Sequence, residues 1–170
     1  MRRLIALAMV IALAGCTDPS VEPAEPPAPG SATSAGPHAD SWDTSQMPDP
    51  CETVSRAEVA AATTLSVSAG TTLDSWPPLC SFTVAGPEPE YLYVSADPRP
   101  AAREDFDRQR SDSQATEMVA GIGDDAYWLP EFTALHVLSG TTHLTVKFAG
   151  SAPPAGAKKK ALAIARAALK

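Results

Sequence analysis

The sequence holds few of the residues that do chemistry. Its 170 residues include three histidines and three cysteines, and His38 lies in a proline-rich stretch away from the other two histidines. There is no Gly-x-Ser-x-Gly elbow, no His-Glu-x-x-His and no Ser-x-x-Lys, so the usual marks of a hydrolase or a zinc peptidase are missing. No Cys-x-x-Cys pair is present to lower a thiol pKa and resolve a mixed disulfide, which argues against a redox enzyme. Basic residues are also scarce, at 13 Lys and Arg against 20 Asp and Glu. Nucleic-acid binding relies on clustered cations that displace counterions from phosphates, so this balance excludes it as an expectation.

Long apolar runs are absent too, with one short exception at the start. Arg2 and Arg3 precede the run Leu4 to Ala14, and Ala14-Gly15 supply the small residues a signal peptidase needs. Eleven residues cover roughly half of a hydrocarbon core, too little for a permanent membrane span. Leu13-Ala14-Gly15-Cys16 resembles the lipobox of bacterial lipoproteins. That resemblance implies cleavage of residues 1–15 as a signal peptide, acylation of Cys16, and a mature chain held on the extracytoplasmic face of the cell membrane. Loss of the two arginines would take the net charge from −7 to −9.

From Thr17 to Pro50 the chain has eight prolines, no Lys or Arg and few large apolar residues. Such a segment cannot bury enough surface to offset its ordering entropy, so residues 16–48 read as a lipid-anchored disordered tether, with Trp42 its one odd member. Residues 49–170 are enough for one modest core. Ser55-Arg56-Ala57-Glu58 has the capping-box pattern of a helix start. Strands are expected at 80–85, 91–96, 125–129, 132–138 and 142–148, with a weaker one at 64–69. Helices are expected at 100–114, with Glu104–Arg108 and Arg103–Asp107 at i, i+4 spacing, and over the alanine-rich C-terminus, with Leu162, Ala165 and Leu169 on one stripe. This order predicts an α+β domain built on a mainly antiparallel sheet of five to six strands flanked by two to three helices.

In an exported protein whose Cys16 carries lipid, Cys51 and Cys80 remain to form a disulfide that pins the first helix to the sheet edge. "DPC" at 49–51, the Ala/Val-rich helix, the second cysteine opening a strand, "GIGDDAYW" at 121–128, a hairpin and a terminal helix together resemble small uncharacterised actinobacterial cell-envelope lipoproteins. "GIGDDAYW" is also similar to sensor-type extracytoplasmic domains attached to mycobacterial Ser/Thr kinases. The chain departs from this pattern at Phe82, where such proteins often have tryptophan. The resemblance implies fold and location, and carries over no catalytic residue.

"GIGDD" lacks the third glycine and the lysine of a phosphate loop, so it reads as a tight turn braced by Asp124. His136 and His143 flank the next turn. They face each other if the loop is Ser139-Gly140; if it is Gly140-Thr141 or the four residues 139–142, Val137 faces Leu144 and Leu135 faces Val146 instead, a register that pairs more apolar side chains and, with the two-residue loop, starts a type II′ turn with glycine. Without a third ligand nearby the pair is not expected to bind metal, and both histidines are expected to face solvent. Lys158, Lys159 and Lys160 form a basic run able to touch anionic surfaces. With Tyr91, Tyr93, Tyr127 and Trp128 they make up the possible interaction surface. The reading is a non-enzymatic lipoprotein, without cofactor or metal, that binds an envelope protein or envelope component. The alternative is a small-molecule or lipid carrier or sensor with a pocket between sheet and helices.

Overall fold

The computed structural model describes residues 47–86 and 90–170. The expected signal peptide, Cys16, Trp42 and the expected tether before residue 47 lie outside the described residues. Four helices and seven strands follow in the order α1 (Pro50–Thr53), α2 (Arg56–Thr63), β1 (Thr71–Leu73), β2 (Leu79–Val84), β3 (Glu90–Asp97), α3 (Ala102–Asp112), β4 (Glu117–Met118), β5 (Asp125–Leu129), β6 (Ala134–Ser139), β7 (Thr142–Ala149) and α4 (Ala157–Ala168). The strands form one antiparallel sheet in the order β1-β2-β3-β7-β6-β5-β4. The α+β class is as expected, but the sheet has one strand more than the upper expectation and the helices are four. The additions are short: β1 and β4 are edge strands of three and two residues, and α1 is a single turn.

The expected strand at 64–69 does not form. Thr64 ends α2 in the left-handed region at φ 58°, and Val67 makes only an isolated bridge to Val84 before β1 begins at Thr71. The start of the expected 132–138 strand is also lost, because Pro130 nucleates a 3-10 turn through Phe132. Elsewhere local chemistry acts as the sequence suggests. Ser55 and Glu58 form the reciprocal capping box, so two otherwise orphaned N–H groups are satisfied at the start of α2.

Alternation along the strands gives the sheet two different faces. On one, Phe82, Leu92, Val94, Val137, Leu144 and Val146 merge into a continuous core with Val54 of the α1–α2 corner, Val59 of α2 and Ala161, Ile164 and Ala165 of α4. The buried stripe of α4 is therefore Ala161, Ile164 and Ala165 rather than the expected Leu162, Ala165 and Leu169. Small side chains there let α4 lie close to the alanine-rich α2. The disulfide between Cys51 and Cys80, with Cα atoms 4.8 Å apart, clamps α1 to β2 beside this core. Among the described residues the helix on the opposite face is α3, whose Phe106 packs with Tyr127, Leu129 and Leu138 in a small second cluster. Being covered on both sides, β6 buries five of its six residues.

Candidate functional site

Two features of the α3 face stand out: a pair of buried histidines under α3, and the part of the face that α3 leaves uncovered. The hairpin register decides where the histidines go. Ser139 pairs with Thr142, so the loop is Gly140-Thr141, with φ 59° at Gly140 and no left-handed Thr141, as a type II′ turn requires. Val137 then faces Leu144, and His136 faces Thr145 while His143 faces Leu138. The two histidines share a face as diagonal neighbours, close enough for long side chains to meet. His136 Nδ1 and His143 Nε2 are 3.0 Å apart, and the Thr145 hydroxyl lies 3.2 Å from the first and 3.4 Å from the second.

Neither histidine faces solvent, which corrects the expectation: His136 is 2 % exposed and His143 7 %. The sequence pattern shows which residues share a face, but not that α3 lies over this one. Tyr127 stacks on the His136 ring with centroids 4.9 Å apart, and Phe106 meets His143 edge-on at 5.3 Å. Burial pushes His136 down to about 3, helped by the nearby His143 and Lys147 charges. Burial also lowers His143, against the opposing pull of Asp97 and Asp105. Both imidazoles are therefore neutral at neutral pH. The Tyr127 phenol is pushed above its usual range by burial and donates to the Phe106 carbonyl at 3.1 Å. Among the described residues no three His, Cys, Asp or Glu side chains are grouped to hold a metal ion.

A charged cluster that sequence reading missed borders the pair. Asp97, buried at the end of β3 beside His143, receives Arg99 Nε at 2.9 Å and Arg99 Nη2 at 2.5 Å. Arg99 also reaches Asp105 of α3 at 3.1 Å and lies over the Trp76 ring, 4.6 Å from its centroid. Its affinity for its proton is raised, chiefly by the hydrogen bonds to Asp97. The one signal in the sequence was an aspartate ending a strand just before Pro98-Arg99-Pro100.

Beyond α3, the same sheet face continues over β7, β3 and β2. Tyr91 and Tyr93 stand there one pleat apart with rings nearly parallel, 7° between planes and 6.1 Å between centroids. Tyr91 is exposed and Tyr93 half-buried, with Ser81, Ser95, Thr145 and Lys147 beside them. Tyr127 and Trp128, expected on an interaction surface with them, are buried instead on opposite faces of β5. The basic run is partly engaged: Lys158 pairs with Glu117 at 2.6 Å and Lys160 donates to the Ala155 carbonyl at 2.7 Å. It lies in α4 and does not join the tyrosines. Two surface hollows lie elsewhere. One of about 400 Å³ runs between α2 and α4 along Ala62, Ala163 and Arg166, and one of about 370 Å³ is lined by Leu65, Val84, Ala152 and Pro154.

No protein-family model matches the chain, and neither curated proteins nor solved structures show significant similarity to it. Among the described residues no helix is long and apolar enough to cross a membrane.

Proposed function

We propose that this is a lipid-anchored, extracytoplasmic, non-enzymatic lipoprotein of the cell envelope, of actinobacterial type, whose α+β domain binds an envelope protein or another envelope component. The anchor rests on Leu13-Ala14-Gly15-Cys16 behind a short positive and apolar leader, and the reach on the proline-rich residues that follow. The binding role is carried by one observation: α3 covers only part of its sheet face, leaving the parallel Tyr91 and Tyr93 in the open part. Aromatic side chains offer large contact area with little rotamer entropy to lose, which suits them to recognition surfaces.

The carrier or sensor reading has a weaker support. The 370 Å³ hollow falls in the size range of small-ligand sites, but it lies at the surface near Gly86 and Pro154, while Ala161, Ile164 and Ala165 of α4 are buried against the sheet. A photo-crosslinking residue placed at Tyr91 in the anchored protein, with mass spectrometry of captured material, tests the proposal. A specific protein or envelope polymer, lost on Tyr93→Ala, is the expected capture. A copurifying lipid with no other specific partner would favour the carrier.

A further inference from the structure

We infer that α3 is an acid-released latch: it closes over the His136–His143 pair while both rings are neutral and lifts off the sheet when they take up protons. A hydrogen bond between two imidazole nitrogens 3.0 Å apart needs one nitrogen to donate and the other to accept. Once both rings are protonated, both facing nitrogens carry hydrogen, the bond is lost and two cations are left in contact in a buried site. The Thr145 hydroxyl, which has two lone pairs, lies near both nitrogens but cannot stand in for solvent around two charges.

Something must open, and the elements around the pair are unequally held. β6 and β7 are locked by ladders on both sides. α3 is polar, has no side-chain N-cap, and buries only Ala102 and Phe106 of its eleven residues. Its other ties are the Tyr127 hydroxyl on the Phe106 carbonyl, Arg99 to Asp105, and Arg110 to Asp125 at 2.7 Å. These two ion pairs are part-buried, yet with one hydrogen bond and two buried side chains they hold α3 less firmly than the paired ladders hold β6 and β7. Lifting α3 removes Phe106 from the His143 ring and opens the pair to water, leaving the sheet intact.

The charges around the pair do not cancel this. From β3, Asp97 favours a proton on His143, and from α3, Asp105 does the same, but Arg99 already binds both carboxylates. On β7, Lys147 opposes a proton on His136. Asp107, Arg108 and Arg110 of α3 and Asp125 of β5 are engaged with one another or with Asp105. Tyr127 stays neutral throughout the relevant range.

The sign follows from linkage. Both histidines bind protons less readily when closed than when open, so the closed state is fully favoured above the ordinary histidine pKa and loses ground as pH falls below it. Between pH 7 and pH 5 freeing His136, held down to about 3 when closed, raises the opening equilibrium by roughly 25-fold, and freeing His143 raises it further. Opening would join Tyr127, Leu129 and Leu138 to the face that already presents Tyr91 and Tyr93, enlarging the apolar surface offered to a partner.

Amide hydrogen exchange on the full-length protein, read as protection factors so that intrinsic pH effects drop out, tests the latch. Protection over residues 102–112 is expected to fall by more than about 25-fold from pH 7 to pH 5 and to stay below that of α4 at both. His136→Asn with His143→Gln keeps polar atoms near the positions of the two facing nitrogens without the titration, and should flatten the change. His143→Gln alone should leave a fall of roughly 25-fold. Protection in α3 that is unchanged at pH 5, or equal to that of α4 at both pH values, would overturn the latch. So would an undiminished fall in the double variant. If the variants do not fold, the two-pH comparison of α3 with α4 in the unaltered protein decides alone.

Discussion

The Asp124 carboxylate accepts the backbone N–H of Gly140 at 2.6 Å, tying the end of the Gly-x-Gly-Asp stretch to the tip of the β6–β7 hairpin. The Asp124 N–H in turn donates to the Leu138 carbonyl at 2.8 Å. Gly123 makes this approach possible: it sits at φ 59°, and a Cβ there would lie 2.4 Å from the Leu138 oxygen, a backbone atom that cannot swing aside. The stretch that invites comparison with a phosphate loop is a clasp for the hairpin that carries both buried histidines.

Gly123→Ala should therefore destabilise the domain by about 2–4 kcal/mol, from the left-handed backbone and the clash together. Asp124→Ala removes one hydrogen bond at an exposed position and should cost only about 1 kcal/mol. Urea unfolding of the two variants checks the order. A larger loss for Asp124→Ala would mean that the carboxylate, rather than the close backbone approach, holds the clasp.

The hairpin also marks how far the sequence could be read. Glycine at the first loop position and the pairing of Val137 with Leu144 specify the register, because a one-residue slip would turn every side chain to the other face. The same alternation places His136 and His143 on one face. What it does not contain is α3: burial of that face depends on Phe106, a lone apolar anchor in a polar helix that reads as a solvated surface element. The Asp97–Arg99–Asp105 cluster was equally hidden, since it joins a strand end to a helix through a loop whose path no local pattern specifies. Edge strands of two and three residues carry too few residues to show a period.

Reducing the Cys51–Cys80 bond, or replacing both with alanine, should cost about 3–4 kcal/mol on the chain-entropy estimate for a loop of this length. The loss should be felt first in α1 and β1. Asp49 caps the Cys51 N–H at 2.9 Å and takes the Thr72 hydroxyl at 2.7 Å, so these elements meet where the disulfide lies. Unfolding with and without reductant measures the magnitude. Equal midpoints would show that packing of Val54 and Val59 alone fixes the corner.

Arg99→Ala should destabilise the domain by about 3 kcal/mol, because it leaves the buried Asp97 carboxylate without its guanidinium and also uncovers Trp76. Arg99→Lys should recover only part of this, since an ammonium cannot make the paired Nε and Nη2 contacts. Thermal melts of the three proteins give the test. Full recovery by lysine would mean that charge alone matters there.

Cys16→Ala tests the anchor, and its effect should be separable from folding. Cys51 and Cys80 are joined to each other, so removing the remaining cysteine leaves the domain's only intramolecular thiol chemistry intact and its melting temperature unchanged. Several acyl chains are needed for stable attachment, because one gives only marginal, reversible binding. The variant should therefore lose fatty-acid labelling and either move to the soluble fraction or persist as an uncleaved precursor held by residues 4–14. Fractionation with acyl labelling distinguishes these from the unaltered protein. A variant that matured normally, kept its label and stayed in the membrane fraction would place the lipid elsewhere and remove the lipobox reading.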